Sequence, residues 1–147
     1  MKKRFNILLG ITLCAVLSQM PTLASTSTWG DLNDEADNAS EGSIISVDNN
    51  LAADGSSIGF LQKQLTLDVS GHTIKGAIYQ DDSPLVFSGA GASETKLEII
   101  NATFTDFDTQ SGIIRGTNPK LVLTDVSFVN NKGTAVNNEG YNGLVIN

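Results

Sequence analysis

The chain has 147 residues, with nine basic against sixteen acidic and only 6% aromatics. That length suits one domain or one piece of a repeating protein, and so few rings exclude a core built from them. Gly, Ser, Thr and Asn together supply 54 residues, which excludes a helical bundle or coiled coil, and a single Cys excludes a disulfide scaffold.

The chain opens on Lys2, Lys3 and Arg4, followed by an apolar run over residues 5–17 and then Thr22-Leu23-Ala24. A basic start, a short apolar run and a small-residue end make a signal peptide over residues 1–24, cleaved after Ala24. The run is shorter than the ~20 residues of a spanning helix. Cys14 lies inside it behind Leu13, so lipid attachment is not expected. Without the leader, six basic residues face sixteen acids, a net charge of −10. That charge argues against nucleic acid and anionic membranes as partners. The expected localisation is export through the inner membrane, to the outer membrane, the cell surface or the medium.

Residues 25–42 read as a linker and an N-terminal capping helix. Trp29, Leu32, Ala36 and Ala39 fall on one helical face. Thr28 is the expected N-cap with Asp31 three residues on, and Glu41-Gly42 the expected end.

No further helix is expected after Gly42. Short apolar stretches recur at 44–47, 65–69, 85–87, 97–100, 113–114, 121–126, 135–136 and 144–146, separated by Gly, Asn, Asp or Ser. Pro84 and Pro119 stand just ahead of two of them, where a strand starts without losing a ladder bond. The stretches starting at Leu65, Leu97, Leu121 and Leu144 overlay, with starts 32, 24 and 23 residues apart. Such a period with short strands marks a solenoid, whose coils stack about 4.8 Å apart. Leu65, Leu97, Leu121 and Leu144 then form one inward column. Leu67, Ile99, Leu123 and Ile146 form a second, and Phe104 and Phe128 a third. An antiparallel sandwich is the competing architecture, but it calls for tight hairpins. Asp54-Gly55 is the one candidate and lies outside the repeat.

Three passages carry a family resemblance. The entry segment from Trp29-Gly30-Asp31-Leu32 to Ser43-Ile44-Ile45-Ser46-Val47 is the first. The second is the coil beginning Leu65-Thr66-Leu67-Asp68-Val69 and ending Gly76-Ala77-Ile78-Tyr79. The third is Phe128-Val129-Asn130-Asn131 with Gly133-Thr134-Ala135-Val136. Together they resemble the right-handed parallel β-helix, pectin-lyase-like passengers of autotransporters and the related polymorphic outer membrane proteins. The middle coil departs from the pattern: Phe107 stands where the repeat has Asn131, and Lys75 and Thr134 break paired glycines. The resemblance implies an all-β fold, a right-handed parallel β-helix of three to four coils over residues 43–147. It implies an adhesin-like passenger role with a surface receptor or glycan as partner. It further implies a translocation barrel in a full-length protein, so that this chain is a truncated part with an uncovered, self-associating last coil. In that coil Leu144 and Ile146 are expected to point inward and Val145 outward.

Parallel β-helices also house polysaccharide lyases and hydrolases, so a fragment of a carbohydrate-active enzyme is the alternative. The candidate acids are Asp81, Asp82, Asp106, Asp108 and Asp125; the candidate bases are Arg115, Lys75, Lys96, Lys120 and Lys132. Solvated turn charge is the favoured reading of these residues, and no catalytic residue is assigned. No metal-binding loop is present, His72 stands alone, and no metal or cofactor is expected. Asn130, Asn131, Asn137 and Asn138 are expected to form turns and to bond a neighbouring coil.

Overall fold

A computed structural model describes residues 23–61, 63–88, 96–117, 120–139 and 143–147. Residues 1–22 of the expected leader lie outside these, as does Pro119. A first strand, β1 (Leu23–Thr26), spans the expected cleavage point. Residues 25 and 26 therefore belong to a strand rather than to a linker. The helix α1 (Trp29–Asn38) follows. The Thr28 hydroxyl accepts from the Asp31 N–H at 3.1 Å, and the Asp31 carboxylate accepts from the Thr28 N–H at 3.0 Å. Two N–H groups that the first turn leaves free are thereby satisfied. The helix ends at Asn38 with Ala39 as C-cap, before the expected Glu41-Gly42.

Everything described after α1 is strand, turn or loop. The strands are β2 (Ile44–Val47), β3 (Leu51–Ala52), β4 (Ile58–Leu61), β5 (Leu65–Asp68), β6 (Thr73–Lys75), β7 (Ile78–Tyr79) and β8 (Leu85–Ser88). Then come β9 (Lys96–Thr105), β10 (Asp108–Thr109), β11 (Ile114–Thr117), β12 (Lys120–Val129), β13 (Lys132–Gly133), β14 (Val136–Glu139) and β15 (Leu144–Ile146). Every described pairing is parallel. The antiparallel sandwich is thereby excluded, and Asp54-Gly55 makes no hairpin, since β3 and β4 lie in different sheets.

Three sheets result. The largest runs β1-β2-β5-β9-β12-β15, with β3 and β6 adding to the far half of β9; the others run β13-β10-β7 and β14-β11-β8-β4. From β5 onward the chain visits the large sheet, the three-stranded sheet and the four-stranded sheet in turn, then returns to the first. From β6 onward each strand leaves one sheet for the next, so parallel partners are far apart in sequence. This is the connectivity of an all-β parallel solenoid.

The registers reproduce the expected columns. Leu65, Leu97, Leu121 and Leu144 are consecutive partners, and so are Leu67, Ile99, Leu123 and Ile146. Phe128 pairs with Phe104, their rings stacked with centroids 5.4 Å apart. That column continues through Ile74 to Leu51, which the sequence reading missed. A further inward column joins Ile58, Leu85, Ile114 and Val136, and beside it Phe60 stacks on Phe87 at 4.9 Å.

Left-handed residues set the corners. In β9 the buried positions are Leu97 and Ile99, then Ala102 and Phe104. The phase of the alternation shifts at Asn101, whose φ is 56°. Asp125 occupies the same place in β12 with φ 54°. The next corner has Asp106 (φ 59°) with Asn130 (φ 54°) one row on. Asn and Asp tolerate this conformation because their short polar side chains bond locally. The expectation for Asn130 holds, but Asn137 and Asn138 lie within β14, not in a turn.

Asn131 has a larger task. Its amide donates to the Phe104 carbonyl at 3.0 Å, and its Oδ1 accepts from the Phe107 N–H at 2.9 Å. One side chain thus closes two backbone groups of the neighbouring row. Phe107, at the equivalent place one row earlier, is buried and packs against Tyr79 and Phe104. Gly76 faces it: a Cβ there would overlap the Phe107 ring and backbone.

Two outcomes follow for denaturant unfolding. Ile99→Ala, at a fully buried column position, lowers stability by about 2–5 kcal/mol. Asn131→Ala lowers it by about 1–3 kcal/mol, because two bonds to partly buried backbone are lost together.

Candidate functional site

The outer side of β7 and β10 carries an open groove of about 340 Å³, lined by Ile78, Tyr79, Gln80, Asp81, Asp108 and Gln110. The parallel registers build it. Ile78, Asp108 and Lys132 are partners in one row, as are Tyr79, Thr109 and Gly133. Because strand side chains alternate, the first row points outward and the second inward. Ile78 is accordingly 72% exposed, while Tyr79 and Thr109 are buried. Gly133 completes the inner row because a Cβ there would overlap the Thr109 carbonyl oxygen.

Backbone and side-chain bonds hold the rim. The Thr109 hydroxyl donates to the Asp82 carbonyl and the Ser111 hydroxyl to the Asp81 carbonyl, both at 3.0 Å. Lys132 Nζ lies 3.1 Å from Asp108 Oδ2. Both groups are well exposed, so this pair orients Asp108 more than it stabilises the fold.

The acids nominated by the sequence do not converge. Asp81 and Asp108 share the groove, Asp106 and Asp125 sit at exposed corners of different rows, and Asp82 accepts from the Ser83 N–H. Of the bases, Lys132 reaches the groove through Asp108, and Lys96 pairs with Glu98 at 3.0 Å in the large sheet. Lys120 lies beside Lys96 in register, Lys75 ends β6, and Arg115 sits on β11 between Val86 and Asn137. His72 follows the turn at Ser70-Gly71, its N–H donating to the Val69 carbonyl. Among the described residues no three acids, histidines or cysteines come together to hold a metal ion.

No family model matches the chain, and neither a curated protein nor a solved structure does.

Beneath the groove the side wall is tied to the helical cap. Trp29, Leu32 and Ala36 are buried against the strands, as expected of the cap. The Trp29 indole N–H donates to the Ser56 carbonyl at 3.1 Å, and the Tyr79 hydroxyl donates to the same oxygen at 2.9 Å. One carbonyl on the loop between β3 and β4 therefore anchors both α1 and β7. Asp54 shapes this loop by accepting from the Ser56 N–H and hydroxyl, which lowers its carboxyl pKa. The sequence contained no signal for this convergence, since the three residues are far apart and no motif links them.

Burial, aided by the nearby Asp54 carboxylate, pushes the Tyr79 hydroxyl up to about 12. An unfolded tyrosine ionises near 10. Below pH 10 both states are neutral and the contribution is fully present. Between pH 10 and 12 the unfolded chain loses this proton while the folded chain keeps it, so stability falls as pH rises. Thermal melts across that window should show wild type losing more than Tyr79→Phe, the two curves converging toward pH 12.

Proposed function

We propose that the chain is a non-catalytic, adhesin-like segment of a secreted or cell-surface passenger. In this reading it is a right-handed parallel β-helix of about three to four coils. The observation that carries it is the way outward side chains from several strands combine into one shared surface. Ile78, Asp108 and Lys132 come from three strands and form one row. An extended polar surface of this kind suits a receptor or glycan better than a single reacting bond. The leader-like start supports export, and the resemblance of residues 29–147 to autotransporter passengers supports the cell surface. A longer protein of that kind carries its own translocation barrel.

A fragment of a carbohydrate-active enzyme is the second reading, favoured by the two carboxylates, Asp81 and Asp108, in one groove. Paired acids across a groove are the minimal equipment for cleaving a glycosidic bond. The first reading predicts no turnover of pectin-type or other acidic polysaccharides. It also predicts that Ile78→Asp weakens binding to target cells or immobilised glycans at least several-fold, with unchanged melting. Product formation that disappears in Asp81→Asn and Asp108→Asn would replace it by the second reading.

A further inference from the structure

The groove on β7 and β10 has a chemistry that narrows its ligand. Strand alternation turns Tyr79 and Thr109 inward, and Ile78, Gln80, Asp108 and Gln110 outward. Two outward lines result. Ile78 and Asp108 are registered partners, and Gln80 and Gln110 each follow the registered pair Tyr79 and Thr109. The two carboxamides therefore hold equivalent places in neighbouring rows, about 4.8 Å apart along the stack. Asp81 extends the lining beside them.

The wall is set before any ligand arrives. The Thr109 and Ser111 hydroxyls donate to the Asp82 and Asp81 carbonyls, which ties the segment of Gln80 and Asp81 to that of Gln110. Beneath it Tyr79 is anchored through its hydroxyl on the Ser56 carbonyl. Lys132 orients Asp108 from the next row. A preset wall loses less freedom on binding.

Its side chains decide the class of ligand. Ile78, at 72%, is the most exposed large apolar side chain among the described residues, and it stands directly beside polar groups. The carboxylates accept hydrogen bonds, whereas the amides both donate and accept. Among the described residues no basic side chain lines the groove. An anionic ligand would face Asp81, Asp108 and, without the leader, a chain of net charge −10. A cationic peptide fits less well. Lys132 already offsets Asp108, and the amide N–H groups find no acceptor on a lysine side chain. A neutral sugar uses every group, with C–H bonds on Ile78 and hydroxyls that donate to the carboxylates and accept from the amides. The volume, about 340 Å³, lies at the small end of ligand sites, roughly 300–1,000 Å³.

We propose that this groove is a subsite for a neutral sugar, held by Ile78, Gln80, Asp81, Asp108 and Gln110. The inference rests on the adhesin reading and deepens it by naming the class of glycan and the side chains that hold it.

Immobilised mannan, galactan and dextran serve as neutral probes, polygalacturonate as the acidic probe and polylysine as the basic one. The full chain should be retained by at least one neutral probe and by neither charged one, and added salt should leave retention unchanged. Gln110→Leu and Asp81→Ala should each weaken retention about five-fold with unchanged melting, since both side chains are exposed. Asp81→Asn should keep most of it, because an amide oxygen still accepts from a hydroxyl. Binding to target cells, polygalacturonate or polylysine without retention by any neutral probe overturns the inference and leaves the adhesin reading standing. So does neutral-probe retention that Ile78→Asp, Gln110→Leu and Asp81→Ala all leave untouched, since the sugar then sits elsewhere. Binding to no probe and to no target cell overturns both.

Discussion

In-register parallel stacking is the constraint on which the rest of this structure depends. Each inward side chain meets, about 4.8 Å away, the side chain at the equivalent place of the next row. A column fills most simply where successive residues match in volume, as Leu97 on Leu121 and Phe104 on Phe128 do. The same constraint reaches the backbone. Between the rows of β9 and β12 the stacked corner residues also match in conformation. Asn101 with Asp125 and Asp106 with Asn130 do so with different residue types that share one conformational tolerance.

Where the repeat is imperfect, neighbours compensate locally. Phe107 replaces the asparagine that Asn131 supplies one row later. Phe107 fills space against Phe104 and Tyr79, while Asn131 closes the backbone groups of the Phe107 row. Gly76 lies where a larger residue would strike Phe107. The spacing between the rows of β5 and β9 is 32 residues, against 24 between β9 and β12, yet the inward register is kept. Extra residues are accommodated between strands, where stacking imposes little.

Stacking acts only on inward positions, so the outer face is free to vary. Along β7, β10 and β13, Tyr79 and Thr109 of the inner row are buried, and Gly133 is held to glycine by the Thr109 carbonyl beside it. The outer row carries Ile78, Asp108 and Lys132, three unrelated chemistries on one line. The proposed binding role rests on that freer face. The Ser56 carbonyl joins the two regimes, because Trp29 from the cap and Tyr79 from beneath the groove both donate to it. The cap and the groove wall thereby share one anchor.

The amino-acid sequence by itself determined the columns, the capping box and the main strands, because period and alternation are local properties of the chain. Leu65, Leu97, Leu121 and Leu144 could be aligned by eye, and Thr28 with Asp31 marked the helix start. The sequence did not reveal the short strands β7, β10 and β13, which have two residues each and no pattern of their own. They are strands only because neighbouring rows supply hydrogen-bond partners. The groove and the Ser56 convergence were hidden for the same reason. Leu144 and Ile146 keep the inward register but are exposed, since among the described residues no further row covers them. Alternation sets which way a side chain points, but burial requires a neighbouring row to cover it.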